Sequence, residues 1–150
     1  MTRAALTGVV LAATLAAGLT GCGEDDPFAA YCDEVTAQQE PLSEALAQGG
    51  PTALIDALPS FRALQDAAPD DIADDWDLLV GRIETLVGAL DAAGVDPASY
   101  DRDQPPSDLS AEDRTAIDAA AGELSAPATR AALDNVQQQA RDVCKTPLSL

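Results

Sequence analysis

The sequence predicts an all-α domain, a bundle of four long helices or five shorter ones. Three observations lead there. Apolar residues recur at three- and four-residue spacing over most of the chain after Pro27. No stretch carries the sustained alternation of β-branched residues that a half-buried strand needs. Prolines, glycines and serines fall between the periodic segments, where helix ends belong.

The first helix begins near Pro27, a residue suited to a first helical turn. Phe28, Cys32, Val35, Leu42 and Leu46 form its stripe, and Pro41 either kinks it or divides it in two. Gly49-Gly50-Pro51 stops this segment and starts the next, in which Leu54, Ile55, Leu58, Phe61 and Leu64 repeat to about Ala67 around an internal Pro59. The strongest helix begins at Pro69, with Asp70 and Asp71 in the first turn, where the positive end of the helix dipole favours carboxylates. Ile72, Trp76, Leu79, Val80, Ile83, Leu86, Val87 and Leu90 give its stripe, and Gly94 suits the C′ position. Val95 to Leu109, "VDPASYDRDQPPSDL", has no period and three prolines, which predicts a long loop with a short turn at Pro97 to Tyr100. Ser110 caps the following helix, with Leu109 as a staple residue and Ile117, Ala120, Ala121 and Leu124 on the buried side. Ser125 caps the last helix, where Ala132, Leu133, Val136, Ala140, Val143 and Cys144 line up, and Pro147 prevents its extension. Many inward positions are alanine, which permits close helix approach but buries little area per residue.

The N-terminus has a different layout. One positive charge, Arg3, precedes an uncharged run from Ala4 to Leu19 that ends in small residues around Gly21, the pattern of a secretory signal peptide. Drawn as a helix the run spans about 24 Å, short of a bilayer core of about 30 Å, so a permanent transmembrane span is the weaker reading. The residues Leu19-Thr20-Gly21-Cys22 resemble the lipobox of bacterial lipoproteins. That resemblance implies a diacylglycerol on Cys22, cleavage just before it, and a lipid anchor on the extracytoplasmic face of the cell membrane. The expected division is a lipoprotein signal peptide at 1–21, a lipidated cysteine with a short tether at 22–26, and a helical bundle domain at 27–150. The alternative is an ordinary signal peptide with Cys22 left as a free thiol.

With Cys22 taken by lipid, Cys32 and Cys144 remain, and an even remainder outside the cytoplasm reads as a disulfide. It would link the first and last helices. The formal charge is −18, and loss of the leader, which carries Arg3 and no acid, makes the mature chain one unit more negative. Such acidity disfavours nucleic acid and anionic lipid as partners. The chain has no histidine, which removes His-based triads, His general bases and the commonest zinc ligand together.

Few residues suggest chemistry. Asp70, Asp74 and Asp77 stand at i, i+4 and i+7, weak candidates for a metal site on one helix face, although the backbone carbonyls and turning loop of a Ca²⁺ site are missing and a solvated acidic face explains them as well. Tyr100, Asp101, Arg102 and Asp103 form a candidate binding loop among prolines, which otherwise serves to cover the open side of the bundle. Trp76 lies on an apolar stripe and is expected in the core. Acids alone mark no glycosidase pair, and neither G-x-S-x-G nor S-x-x-K occurs. No catalytic residue and no cofactor is expected.

The segments "APDDIADDWDLLV", "AAGVDPASYD" and "QQQARDVCKTPLSL" resemble a group of uncharacterised actinobacterial lipoproteins, with an early Tyr31-Cys32, an A-P-x-x-I-x-x-x-W segment and a late Val143-Cys144. The resemblance spans most of residues 28–150 and implies a small helical secreted domain, with no catalytic residues to carry over. The expected function is a non-enzymatic interaction or binding module of the cell envelope, held at the membrane through diacylglycerol on Cys22 and contacting a membrane-proximal envelope protein. The competing expectation is a carboxylate-lined solute- or metal-binding protein, or an envelope enzyme.

Overall fold

The computed structural model describes residues 26–50, 52–148 and 150. The expected leader, Cys22 and the expected tether up to Asp25 lie outside the described residues, as does Pro51. Among the described residues there are six helices and no strand: α1 (Ala29–Gln48), α2 (Ala53–Asp56), α3 (Leu58–Ala67), α4 (Ala73–Ala92), α5 (Ala111–Leu124) and α6 (Pro127–Asp142). No helix among them is long and apolar enough to cross a membrane.

The six pieces stack as four rods, α1, α2 with α3, α4, and α5 with α6, because two of the rods are broken. Pro41 neither ends nor divides α1, which runs unbroken through it with Tyr31, Val35 and Leu42 buried. The proline ring is on the exposed side, so it displaces no core residue. Gly49 then closes the helix at φ +63, donating its N–H to the carbonyl of Leu46 at 3.1 Å. Pro59 does break its rod. A proline in a helix removes the bond to the carbonyl four residues back and crowds it. The chain accordingly separates at Ala57 into α2 and α3, with Pro59 in the first turn of α3.

The start of α4 departs from expectation. Asp70 and Asp71 belong to a turn ahead of the helix, in which the Ile72 N–H bonds the Pro69 carbonyl at 3.0 Å, and Asp74 and Asp75 occupy the first helical turn instead. Ile72 is buried as the stripe expects, but its φ of −129° is not helical and makes it the residue before α4 rather than a member of it. At the other end Gly94 adopts φ +66, its N–H bonds Asp91 and the Val95 N–H reaches back to Leu90, a Schellman closure with Gly94 at C′.

Ser110 caps α5, its side chain accepting the Asp113 N–H at 3.0 Å. Ser125 does not cap α6. It ends α5, while Ala126 precedes α6 and Pro127 takes the first helical position, where its missing N–H is no loss. The buried Thr129 hydroxyl donates to the Glu123 carbonyl at 2.6 Å, alongside the Ala126 N–H that bonds the same oxygen at 3.1 Å.

α5 and α6 lie end to end and antiparallel to α4. Three contacts record the order: Arg82 pairs Glu123 at 2.9 Å, Asn135 donates to Asp75 at 3.1 Å, and Gln139 donates to Asp71 at 3.3 Å. Descending α4 thus means ascending the last rod. The core between the rods is filled by large side chains, with Trp76, Tyr31, Leu42, Leu64 and Ile117 fully buried and Phe61 tilted against Trp76 at 6.2 Å between ring centres. Alanine contributes at Ala57, Ala120, Ala132 and Ala140 without dominating. The Cys32–Cys144 disulfide joins the first turn of α1 to the residues just after α6.

Candidate functional site

The layout gives the bundle two unlike ends. At one, α1 begins, α4 begins and the chain after α6 is bridged back by Cys32–Cys144, with Gln39 donating to the Pro147 carbonyl at 2.8 Å and Leu148 buried. At the other, α4 ends and the 95–110 loop turns the chain into α5. Twenty residues of α4 separate them, about 30 Å of helix.

The distal loop is held by its own polar groups. The Asp96 carboxylate accepts the Ala98 N–H at 3.0 Å and the Ser99 N–H bonds the Asp96 carbonyl at 3.1 Å, which gives the expected short turn at Pro97 to Tyr100. The Asp101 carboxylate accepts the Asp103 N–H at 2.8 Å. Arg102 straps the loop to α5 through a 2.8 Å contact with Asp118, which Arg114 approaches at 3.9 Å. These exposed pairs contribute at most about 1 kcal/mol each. They order the loop more than they stabilise the fold.

Tyr100 stands where two spaces meet. On one side is a cleft of about 330 Å³ whose lining includes Val95, Asp96, Ser99, Asp108 and Leu109. On the other is a space of about 170 Å³ among Leu86, Leu90, Pro97, Ile117 and the Arg102 side chain. The Tyr100 hydroxyl oxygen is buried and has no hydrogen-bond partner among the described residues. A buried hydroxyl without a partner costs about 1–3 kcal/mol.

Of the four loop residues singled out from sequence, Tyr100 and Arg102 therefore line cavities, whereas Asp101 and Asp103 face solvent and Asp101 serves the loop's own backbone. Asp96, Asp108, Leu86 and Leu90 complete the surroundings and were not legible as site residues. The helical period identifies Leu86 and Leu90 as inward-facing but carries no sign that space remains beside them.

The acidic trio separates. Asp70 sits in the turn before α4, so it does not share a helical face with Asp74 and Asp77, and Asp77 accepts the Gln65 amide at 2.7 Å. No three acidic or cysteine side chains among the described residues are gathered as a metal site. Trp76 is core, its indole N–H donating to the Tyr31 hydroxyl at 3.0 Å. Burial raises the Tyr31 phenol pKa, against the lowering effect of that hydrogen bond, with Asp71 adding a smaller upward push.

A second small hollow, about 80 Å³ and almost wholly apolar, lies over the α5–α6 break between Phe61, Leu79, Ile83 and Leu133, with the exposed Leu54 at its edge. Compared with protein-family models, curated proteins and solved structures, the chain matches none.

Proposed function

We propose that the chain is an extracytoplasmic lipoprotein, cut before Cys22 and anchored through diacylglycerol on that cysteine, which serves as a non-enzymatic binding module of the cell envelope. Its contact face is the 95–110 loop. The two-ended layout of the bundle carries this reading. A tether from Gly23 to Asp26 reaches at most about 14 Å, so the disulfide-bridged end rides near the bilayer and the loop faces away from it. Glu24, Asp25 and Asp26 are repelled by anionic headgroups, which keeps the bundle standing off the surface. The Cys32–Cys144 bond fits an oxidising compartment. A partner met at the loop is another membrane-proximal envelope protein or a small solute, and the cleft at Tyr100 favours the solute.

Palmitate labelling in the native host tests the anchor. Label on the wild-type protein that disappears in Cys22→Ala supports it. An unlabelled wild type, or label that persists in the variant, contradicts it.

A further inference from the structure

We propose that the seam between α4 and the α5–α6 rod takes a linear aliphatic chain, and that α2 is the lid over it. Such a site depends on neither the lipid anchor nor the loop as a contact face.

The two apolar spaces beside α2 belong to one seam. Along α4 their walls are Leu79, Ile83, Leu86 and Leu90, at i, i+4, i+7 and i+11, a single helix stripe. Facing them on α5 are Leu124, Ala121 and Ile117, met in the reverse order, as antiparallel rods require. The space of about 80 Å³ lies at Leu79 and Ile83, and that of about 170 Å³ at Leu86 and Leu90. α2 borders both, Leu54 the first and its neighbour Ile55 the second.

α2 alone among the described helices has no buried residue. Gly49 and Gly50 precede it at φ +63 and +86, and the break at Ala57 follows it. Lids are hinged at a few such element-terminal residues. Neither space alone reaches the lower end of small-ligand sites, about 300 Å³. Lifting α2 joins the two and frees the volume that Leu54 and Ile55 take up.

The walls say what enters. Their polar groups are engaged or out of reach: the Thr129 hydroxyl donates to the Glu123 carbonyl, Arg102 pairs Asp118, and the Tyr100 hydroxyl oxygen is closed off from solvent. An occupant therefore gains by burying carbon and not by hydrogen bonding. The side chains that α2 now sets against the seam, Leu54 and Ile55, are themselves aliphatic. From Leu79 to Leu90 the seam runs about 16 Å along α4, narrow throughout, which suits a chain and not a ring system.

The test uses probes with one head and different bodies: 1-octanol, 1-butanol and cyclooctanol. The protein is the full chain carrying Cys22→Ala, so that no attached lipid absorbs them. The readout is the backbone amide shifts of Leu54, Ile55, Ile83 and Leu90 on titration. 1-Octanol is expected to shift all four saturably, to bind on the order of a hundredfold tighter than 1-butanol, as four further buried methylene groups dictate, and to bind tighter than cyclooctanol. Ala121→Leu, which fills the larger space from α5, should weaken 1-octanol at least tenfold while its thermal midpoint stays at or above that of the parent chain. Shifts confined to one of the two spaces, or sparing Leu54 and Ile55, overturn the joined seam and its lid. Cyclooctanol binding as tightly as 1-octanol overturns the linear occupant. Shifts from none of the probes, or undiminished binding by a folded Ala121→Leu, overturn the seam as a ligand site, and the labelling of Cys22 judges the lipid anchor separately.

Discussion

The indole of Trp76 donates a 3.0 Å hydrogen bond to the hydroxyl of Tyr31, joining the first turn of α4 to the first turn of α1 in the interior of the protein. Both side chains are fully buried, so the bond has no competition from water. Tyr31→Phe keeps the ring and removes the acceptor, leaving a buried N–H unmatched. The expected loss is about 1–3 kcal/mol, to be read from urea denaturation as a lowered midpoint with an unchanged slope.

The same phenol makes stability fall at alkaline pH. Its folded-state pKa lies above the ordinary value near 10 because burial opposes the phenolate. Below about pH 10 both states are protonated and Tyr31's contribution is complete. As pH rises further the unfolded chain ionises first, and the contribution drains away until the folded-state pKa is passed. Denaturation midpoints between pH 8 and pH 11 should therefore fall more steeply for wild type than for Tyr31→Phe. Parallel curves would show that Tyr31 ionises as readily folded as unfolded.

Replacing both bridge cysteines, Cys32→Ala with Cys144→Ala, should lower stability by about 2–5 kcal/mol, since the bond closes a loop of 112 residues. The loss should fall first on the segment beyond α6, where Leu148 is buried and the Pro147 carbonyl is held by Gln39. Hydrogen exchange will register this as faster exchange near both bridge positions than in α4. Two thiols that alkylate freely in the native protein without reductant would contradict the bond.

How much of this was legible depends on the range of the interaction. Ser110 announced α5 because an N-cap is a local contact, and Gly94 announced the end of α4 for the same reason. Cys32 and Cys144 followed from counting, once Cys22 was set aside. Ser125 misled because Pro127 competes for the same boundary and fixes the start of α6 one residue later than a Ser cap would. Asp70 and Asp71 misled because the chain makes a separate turn there, closed by the Ile72 N–H on the Pro69 carbonyl, and enters the helix only after Ile72. The Trp76–Tyr31 bond spans 45 residues and leaves no mark in any short window of sequence, whereas the cleft at Tyr100 is lined wholly from 93–109 and was illegible because it depends on how an aperiodic loop folds back on itself.

Tyr100 offers a prediction of opposite sign to Tyr31. Its hydroxyl is buried without a partner among the described residues, so Tyr100→Phe should raise stability by about 1 kcal/mol rather than lower it. Thermal denaturation checks it. A destabilised Tyr100→Phe variant would mean that the hydroxyl is already paired in the folded protein.

The orientation of the bundle on the membrane is the most direct test of the functional account. A fluorescent amino acid placed at Asp33, in the first turns of α1, or separately at Asp103, in the distal loop, reports its distance from vesicles carrying a lipid-bound quencher when the purified protein is inserted in them through the proposed anchor. The account predicts quenching at position 33 and none at position 103, about 30 Å of helix farther from the tether. Equal quenching at both, or quenching at 103 alone, would contradict it.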